Sequence, residues 1–275
     1  MDTPRPQPPR EPEVKAGGSF LITPSPSRAG EVLNERFELI QQIAKEGMGF
    51  VYLAHDRQLP WPVAVKILGS RDPAVEQRFL DEAEILSTLS HPNLVRPLGK
   101  GGTAGGQLYL PMEYVRGENL SDRLAELGPL SWREAVAVGI QVGEVLALLH
   151  AAGVLHRDIK PSNIMLCSGS EVVIKVLDLG CAKIQAHLWP AAGTPKRFDT
   201  EVGVVVGTPP YRPPEAGQVP ADPRLDVFGL AATIHELCTG KTREPGPYRP
   251  LRGNAPPELD AVLAKNGQDL EANRL

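Results

Sequence analysis

Over residues 37–54 apolar and polar positions alternate, the pattern of half-buried strands, with an interruption at Glu46-Gly47-Met48-Gly49. A second apolar run, Val63-Ala64-Val65-Lys66-Ile67-Leu68, follows close behind. Asp72 then precedes Pro73, a helix N-cap followed by proline at the first helical position. In the helix they open, Val75, Phe79, Glu82 and Leu86 share one face. Leu108-Tyr109-Leu110-Pro111-Met112-Glu113-Tyr114 reads as another apolar strand. Ser131 and Glu134 form a capping box for a helix that runs to about His150, with Val138, Val142, Val145 and Leu149 as its apolar stripe. A hairpin is predicted over 164–177, turning at Ser168-Gly169-Ser170. A last helix, apolar nearly all round, is predicted over 225–239 and stops at Gly240. Strands come first and helices dominate later, which predicts an α+β protein with a small sheet-rich lobe and a larger helical one.

Residues 1–34 stand apart from this pattern. Seven of the 28 prolines fall in the first 26 positions, four basic residues offset four acidic ones, and apolar residues are sparse. Such a segment buries too little surface to offset its ordering entropy, so a disordered tail over 1–34 and a folded domain over 35–275 are expected. Over the whole chain, 41% hydrophobic and 23% charged residues suit a soluble globular protein. A net charge of −4 argues against a dedicated nucleic-acid binder. Neither an uninterrupted membrane-length apolar run nor an N-terminal signal pattern is present, so no membrane span is expected. Three widely spaced cysteines, Cys167, Cys181 and Cys238, suit a reducing cytoplasm better than a disulfide framework.

Two positions conflict with their surroundings. Lys66 lies inside an apolar strand, on the face of Ala64 and Leu68, and Glu82 lies on the apolar face of its helix. A buried charge is costly unless paired. Either the two pair with each other, or Lys66 snorkels to solvent while Glu82 sits at the edge of its stripe. Further on, His156-Arg157-Asp158-Ile159-Lys160-Pro161-Ser162-Asn163 packs charge into a loop between apolar segments. Fifteen residues past Asn163, Asp178-Leu179-Gly180 ends a strand. Asn163 and Asp178 together offer hard oxygen ligands suited to Mg²⁺ and its phosphates, and Asp158 could orient a hydroxyl.

Taken in order, these motifs resemble the protein kinase family, in its bacterial-type eukaryotic-like Ser/Thr branch. They are Val63-Ala64-Val65-Lys66, Glu82, His156-Arg157-Asp158 with Asn163, Asp178-Leu179-Gly180, Gly207-Thr208-Pro209-Pro210-Tyr211, Pro213-Pro214-Glu215 and Asp226, within residues 37–275. The resemblance implies a two-lobed fold with an N-lobe over about 35–111, a hinge over about 112–117 and a C-lobe over about 118–275. It also implies an ATP- and Mg²⁺-dependent serine/threonine protein kinase acting on protein substrates. Lys66 would hold the α and β phosphates and pair with Glu82. Asp158 would orient the substrate hydroxyl, Lys160 would offset charge on the transferring phosphoryl group, and Asn163 and Asp178 would hold Mg²⁺. Ile43, Val51, Ala64 and Met165 would sandwich the adenine, the Glu113 and Val115 backbone would recognise its edge, and Met112 would stand as gatekeeper. Gly47 and Gly49 would lie in the phosphate loop. Thr208 resembles the residue that bonds the catalytic Asp and Lys, which favours Ser/Thr substrates. Arg157 would meet a phosphate on the activation loop, with Thr200 favoured, Thr194 next and Thr208 already engaged. Glu215 would pair with Arg274, and Asp226 would be structural. A dimer would serve autophosphorylation in trans.

The sequence departs from the family in two places. The three glycine positions of the phosphate loop hold Ala44, Glu46 and Gly49, and Glu46 adds bulk and negative charge beside a polyanion. Weakened nucleotide affinity is expected. The stretch between Thr239 and Pro256, where the family has a longer region with a docking helix, is short and rich in Pro, Gly and Arg. These departures keep open a pseudokinase or weak nucleotide-binding scaffold. A small-molecule phosphotransferase is a third reading, opposed by the Gly207 to Glu215 segment. Cys181, next to Asp178-Leu179-Gly180, is placed to meet electrophiles, although packing is the commoner role of such a cysteine.

Overall fold

The structure is a computed structural model that describes residues 28–46, 49–99, 101–179, 183–184, 207–214, 216, 222–243, 249–251 and 255–266. Its first layer is an antiparallel sheet of β1 (Val32–Leu33), β2 (Phe37–Glu46), β3 (Gly49–Asp56), β4 (Pro62–Leu68), β5 (Gly102–Ala104) and β6 (Gln107–Glu113). The strand order is β1-β2-β3-β4-β6-β5. Side chains of β4 divide by parity, as strand geometry requires. Val63, Val65 and Ile67 enter a cluster with Leu33, Phe37, Leu39, Tyr52 and Tyr109. Leu68, on the opposite face, joins the larger core with Phe79, Ile85 and Leu86 of α1 (Pro73–Thr88). The α1 start is as expected: the Asp72 side chain accepts from the Ala74 amide at 2.8 Å, with Pro73 at the first position.

The sheet begins earlier than the boundary expected at residues 34 and 35. Val32 and Leu33 pair with Glu38 and Phe37, and Leu33 is buried. Arg28 holds the strand's approach, bonding Glu31 and reaching the Gln107 side chain at 2.8 Å. The short apolar pair Val32-Leu33 is enough once a neighbouring strand supplies the ladder. Residues 28–34 therefore belong to the folded domain.

Beyond the first sheet come β7 (Gly117–Asn119), α2 (Leu120–Leu127), α3 (Trp132–Ala151), β8 (Val154–Leu155), β9 (Ile164–Cys167), β10 (Ile174–Val176), β11 (Lys183–Ile184), α4 (Arg224–Thr239) and α5 (Pro257–Asn266). Strands β9 and β10 form the expected hairpin and β7 adds to its outer side. Both halves of the Ser131–Glu134 capping box are made. Gly240 ends α4 in the left-handed conformation, at φ 67°. Among the described residues α3 alone has the length and hydropathy of a membrane span. Its stripe Val138, Val142, Val145 and Leu149 is committed instead to the central core.

The described parts of the short Pro- and Arg-rich stretch are tied down. The Leu251 amide donates to Asp260 Oδ1 at 2.7 Å, and Leu251 packs with Ala231 of α4 and Leu263 of α5. The two helices thus meet directly across this stretch.

Candidate active site

Lys66 and Glu82 do pair. The ammonium lies 3.0 Å from both Glu82 carboxylate oxygens, and both residues are only 2% exposed. A third charge shares the site, since Lys66 Nζ also lies 2.7 Å from Asp178 Oδ1. Burial pushes the Glu82 carboxyl to about 8; the Lys66 charge opposes that rise and nearby Asp178 adds to it. The group is held in register by packing: Lys66 sits opposite Val51 and Leu110 in the sheet, and Phe79 and Leu86 anchor its partner helix in the core.

A second constellation gathers around Asp158. Lys160 Nζ donates to Asp158 Oδ2 at 2.6 Å, and the Thr208 amide and hydroxyl donate to Oδ1 at 3.0 and 2.8 Å. Lys160 also reaches Thr208 Oγ1 at 2.8 Å. Burial alone would raise the Asp158 pKa, but the bonds from Lys160 and Thr208 outweigh it and hold the carboxyl below its ordinary range. Asp158 therefore stands as a carboxylate at neutral pH. Asn163 Nδ2 donates to the Asp158 carbonyl at 2.8 Å and to Oδ2 at 3.1 Å. With its amide nitrogen so committed, the Asn163 carbonyl oxygen is the end available to a cation. The Leu177 amide donates to the Asn163 backbone carbonyl at 3.0 Å, which brings Asp178 alongside. Two hard oxygen donors, one just before β9 and the other just after β10, fit Mg²⁺.

Asp226 builds the loop from beneath. Fully buried on α4, its carboxylate accepts the His156 amide at 2.9 Å and the Arg157 amide at 2.6 Å, and lies 2.8 Å from His150 Nε2. These bonds hold Arg157 at φ 70°, a left-handed conformation that a side-chain-bearing residue adopts only when its surroundings impose it. His156 is buried, and burial lowers its pKa despite nearby Asp226, Asp178 and Asp158. Its Nδ1 accepts the Asp158 amide at 3.3 Å, so it braces the loop.

In the slot between the lobes, Val51 and Ala64 are buried on neighbouring strands and Ala64 pairs with Met112. Val115 and Met112 pack half-buried against the core, while Ile43, at the second irregularity of β2, is 37% exposed. Met165 lies on β9 between Asn119 and Lys175. Among the described residues the Val115 amide has no hydrogen-bond partner, which leaves a donor at the hinge. Gly49 has a role the sequence alone concealed. A Cβ there would fall 2.0 Å from the Ile67 carbonyl oxygen, so the sheet itself requires glycine. Gly47, Thr194, Thr200, Glu215, Arg274, Gly180 and Cys181 lie outside the described residues, as does the Glu46 side chain.

Sequence reasoning missed the α2 helix, the Asp226–His150 contact and the Asn93–Gln141 link. The first had a local signal, since Asn119 caps α2 by accepting the Asp122 amide at 2.9 Å. Asn93 donates to Gln141 Oε1 and to the Ile174 carbonyl, both at 2.8 Å, tying the loop after α1 to α3 and β10. No local pattern announces such a link.

Residues 37–249 match the profile of the family described as "Protein kinase domain". A probable serine/threonine-protein kinase of Clostridium perfringens is 35% identical over 231 residues, covering 82% of this chain and 31% of that protein. The serine/threonine-protein kinase PknB of Mycolicibacterium smegmatis is 33% identical over 256 residues, 85% of this chain and 40% of the relative. PknK of Mycobacterium bovis is 35% identical over 219 residues, 78% of this chain and 19% of its own length. The chain thus spans less than half of each of these three relatives. The profile covers most of the chain, and the clusters around Lys66 and Asp158 fall within it, so this chain belongs to the protein kinase domain family.

Proposed function

We propose that this chain is a serine/threonine protein kinase that transfers the γ-phosphoryl group of ATP to protein hydroxyls. The observation that carries the reading is the Asp158 carboxylate, held ionised and aimed by Lys160, Thr208 and Asn163. A substrate serine or threonine hydroxyl would donate its hydrogen bond to Asp158. As the hydroxyl oxygen forms its bond to the γ-phosphorus, the bond to the bridging β–γ oxygen breaks and ADP leaves. The hydroxyl proton passes to Asp158. Lys160, within reach of both Asp158 and Thr208, would offset charge on the transferring group. Lys66 would release part of its hold on Asp178 to meet the α and β phosphates, with Glu82 keeping it in place. The Val115 amide and Glu113 carbonyl would take the adenine edge. Bound at Asn163 and Asp178, Mg²⁺ would supply positive charge to the phosphates.

Thr208 in this arrangement supports Ser/Thr acceptors. Arg157 supports control by a phosphate on the activation loop, for which Thr200 is the favoured acceptor and Thr194 the second. A catalytically silent scaffold finds no support, because Lys66, Glu82, Asp158, Asn163 and Asp178 are all present and the relatives carry kinase names. The test is phosphoryl transfer from Mg·ATP to a generic Ser/Thr protein substrate, read by mass spectrometry on wild type and Asp158→Asn. New phosphate on Ser or Thr in wild type alone is the expected result. Silence in wild type, or equal labelling by the variant, would overturn the reading.

A further inference from the structure

Beside the hinge residue Glu113 lies a cleft of about 240 Å³ lined by Leu89, His91, Arg96, Glu113 and Lys175 among others. Glu113 is the last residue of β6, where the chain leaves the sheet for the hinge. Its carboxylate turns into this cleft. Glu113 Oε1 accepts Lys175 Nζ at 2.6 Å and the Arg96 amide at 2.8 Å, and the Glu113 amide donates to the Arg96 carbonyl at 2.9 Å. One backbone bond and two side-chain bonds thus tether Glu113, whose carbonyl and neighbouring Val115 amide are the hinge groups assigned to adenine above. Lys175 comes from the other lobe. It stands on β10 directly across from Met165, the residue assigned to the underside of the adenine slot.

We propose that Lys175 is a positioning residue for the nucleotide: its bond to Glu113 fixes the hinge against the β9–β10 floor and so sets the height of the adenine slot. The inference rests on the ATP reading given above. Adenine keeps the same contacts in the ground state and in the transition state, so loosening the slot weakens both equally. Uniform loss of that kind raises KM for ATP and leaves kcat alone. The pair is about one-fifth exposed at both ends, which limits the effect.

The test measures steady-state kinetics and direct Mg·ATP binding by calorimetry on wild type, Lys175→Met, Lys175→Arg and Glu113→Gln. Lys175→Met removes the bond and is expected to raise KM and Kd for ATP about three- to fivefold with kcat within about twofold. Glu113→Gln keeps an acceptor oxygen, loses only the charge, and is expected to give a smaller rise of the same kind. Lys175→Arg restores most of the affinity. The double variant is no worse than Lys175→Met, because the two substitutions act on one interaction. Glu113→Gln preserves shape and serves if the lysine variant fails to fold. Unchanged ATP affinity in both variants, or a fall in kcat at constant KM, would overturn the proposal. Wild type that binds no Mg·ATP would overturn the ATP reading itself and this inference with it.

Discussion

The Thr208 hydroxyl donates to Asp158 Oδ1 at 2.8 Å and receives Lys160 at the same distance, so one hydroxyl joins the Asp158 carboxylate to the lysine. The Thr208 amide binds that same carboxylate oxygen at 3.0 Å. Thr208→Val keeps the amide and removes the bridge. Turnover is expected to fall about tenfold or more, the scale of losing one aimed donor at a reacting centre. The pH profile carries a sign as well. The proposed mechanism uses Asp158 ionised, and Thr208 helps hold its pKa down, so the acid limb of kcat/KM should move to higher pH in the variant. An acid limb that stays put while turnover falls would place Thr208 outside the control of Asp158 ionisation.

Gly207 brings the end of the activation segment against the catalytic loop. It sits at φ 101°, and a Cβ there would lie 2.5 Å from the Arg157 carbonyl oxygen. Gly207→Ala must therefore push Thr208 away from Asp158. We expect the variant to fold, with circular dichroism like that of wild type, and to lose activity by at least as much as Thr208→Val. Near-normal activity would show that the two loops can part without harm.

Lys66→Met leaves Glu82 and Asp178 facing each other without their cation. Breaking a buried pair by removing one partner costs about 3 kcal/mol, so denaturant unfolding should show a loss of that order together with lost activity. The sign with pH follows from Glu82, whose folded pKa is raised above its unfolded value. Stability from such a group is full below the unfolded pKa and is lost as pH rises through the folded one. Lys66 is the influence that lowers that value, and without it the carboxyl rises further. The destabilisation should accordingly be larger at pH 8 than at pH 6. The opposite trend would mean that Glu82 is not the group left unpaired.

Asp226→Asn keeps the size of the side chain and replaces one acceptor oxygen with a donor. The carboxylate serves two backbone amides and His150, so at least one buried partner is left facing a donor. A loss of about 1–3 kcal/mol in unfolding free energy is expected. Release of Arg157 from its left-handed conformation should lower activity at temperatures where the variant remains folded.

Much of the architecture was legible because its signals are local. Asp72-Pro73, Ser131 with Glu134, Gly240 and the turn at Ser168-Gly169-Ser170 satisfy backbone groups only a few residues away, and each marks an element boundary found in the structure. The Lys66–Glu82 pairing was half legible: burial of two charges demanded partners, but choosing between pairing and snorkelling needed the fold. The N-terminal edge was misread because Val32-Leu33 is too short to declare itself a strand before β2 lies beside it.

By itself, the sequence determined the order of elements, the helix caps, the apolar faces and the set of chemical groups. These depend on neighbours within one or two turns of chain. Tertiary structure alone decided which distant groups meet. It joined Lys66 to Asp178 across 112 positions, Lys175 to Glu113 across 62 and Arg157 to Asp226 across 69. It also showed that Gly49 is glycine to let β3 and β4 approach. Such contacts are selected by packing two lobes around one cleft, where each buried charge must find its partner among whatever the fold brings within reach.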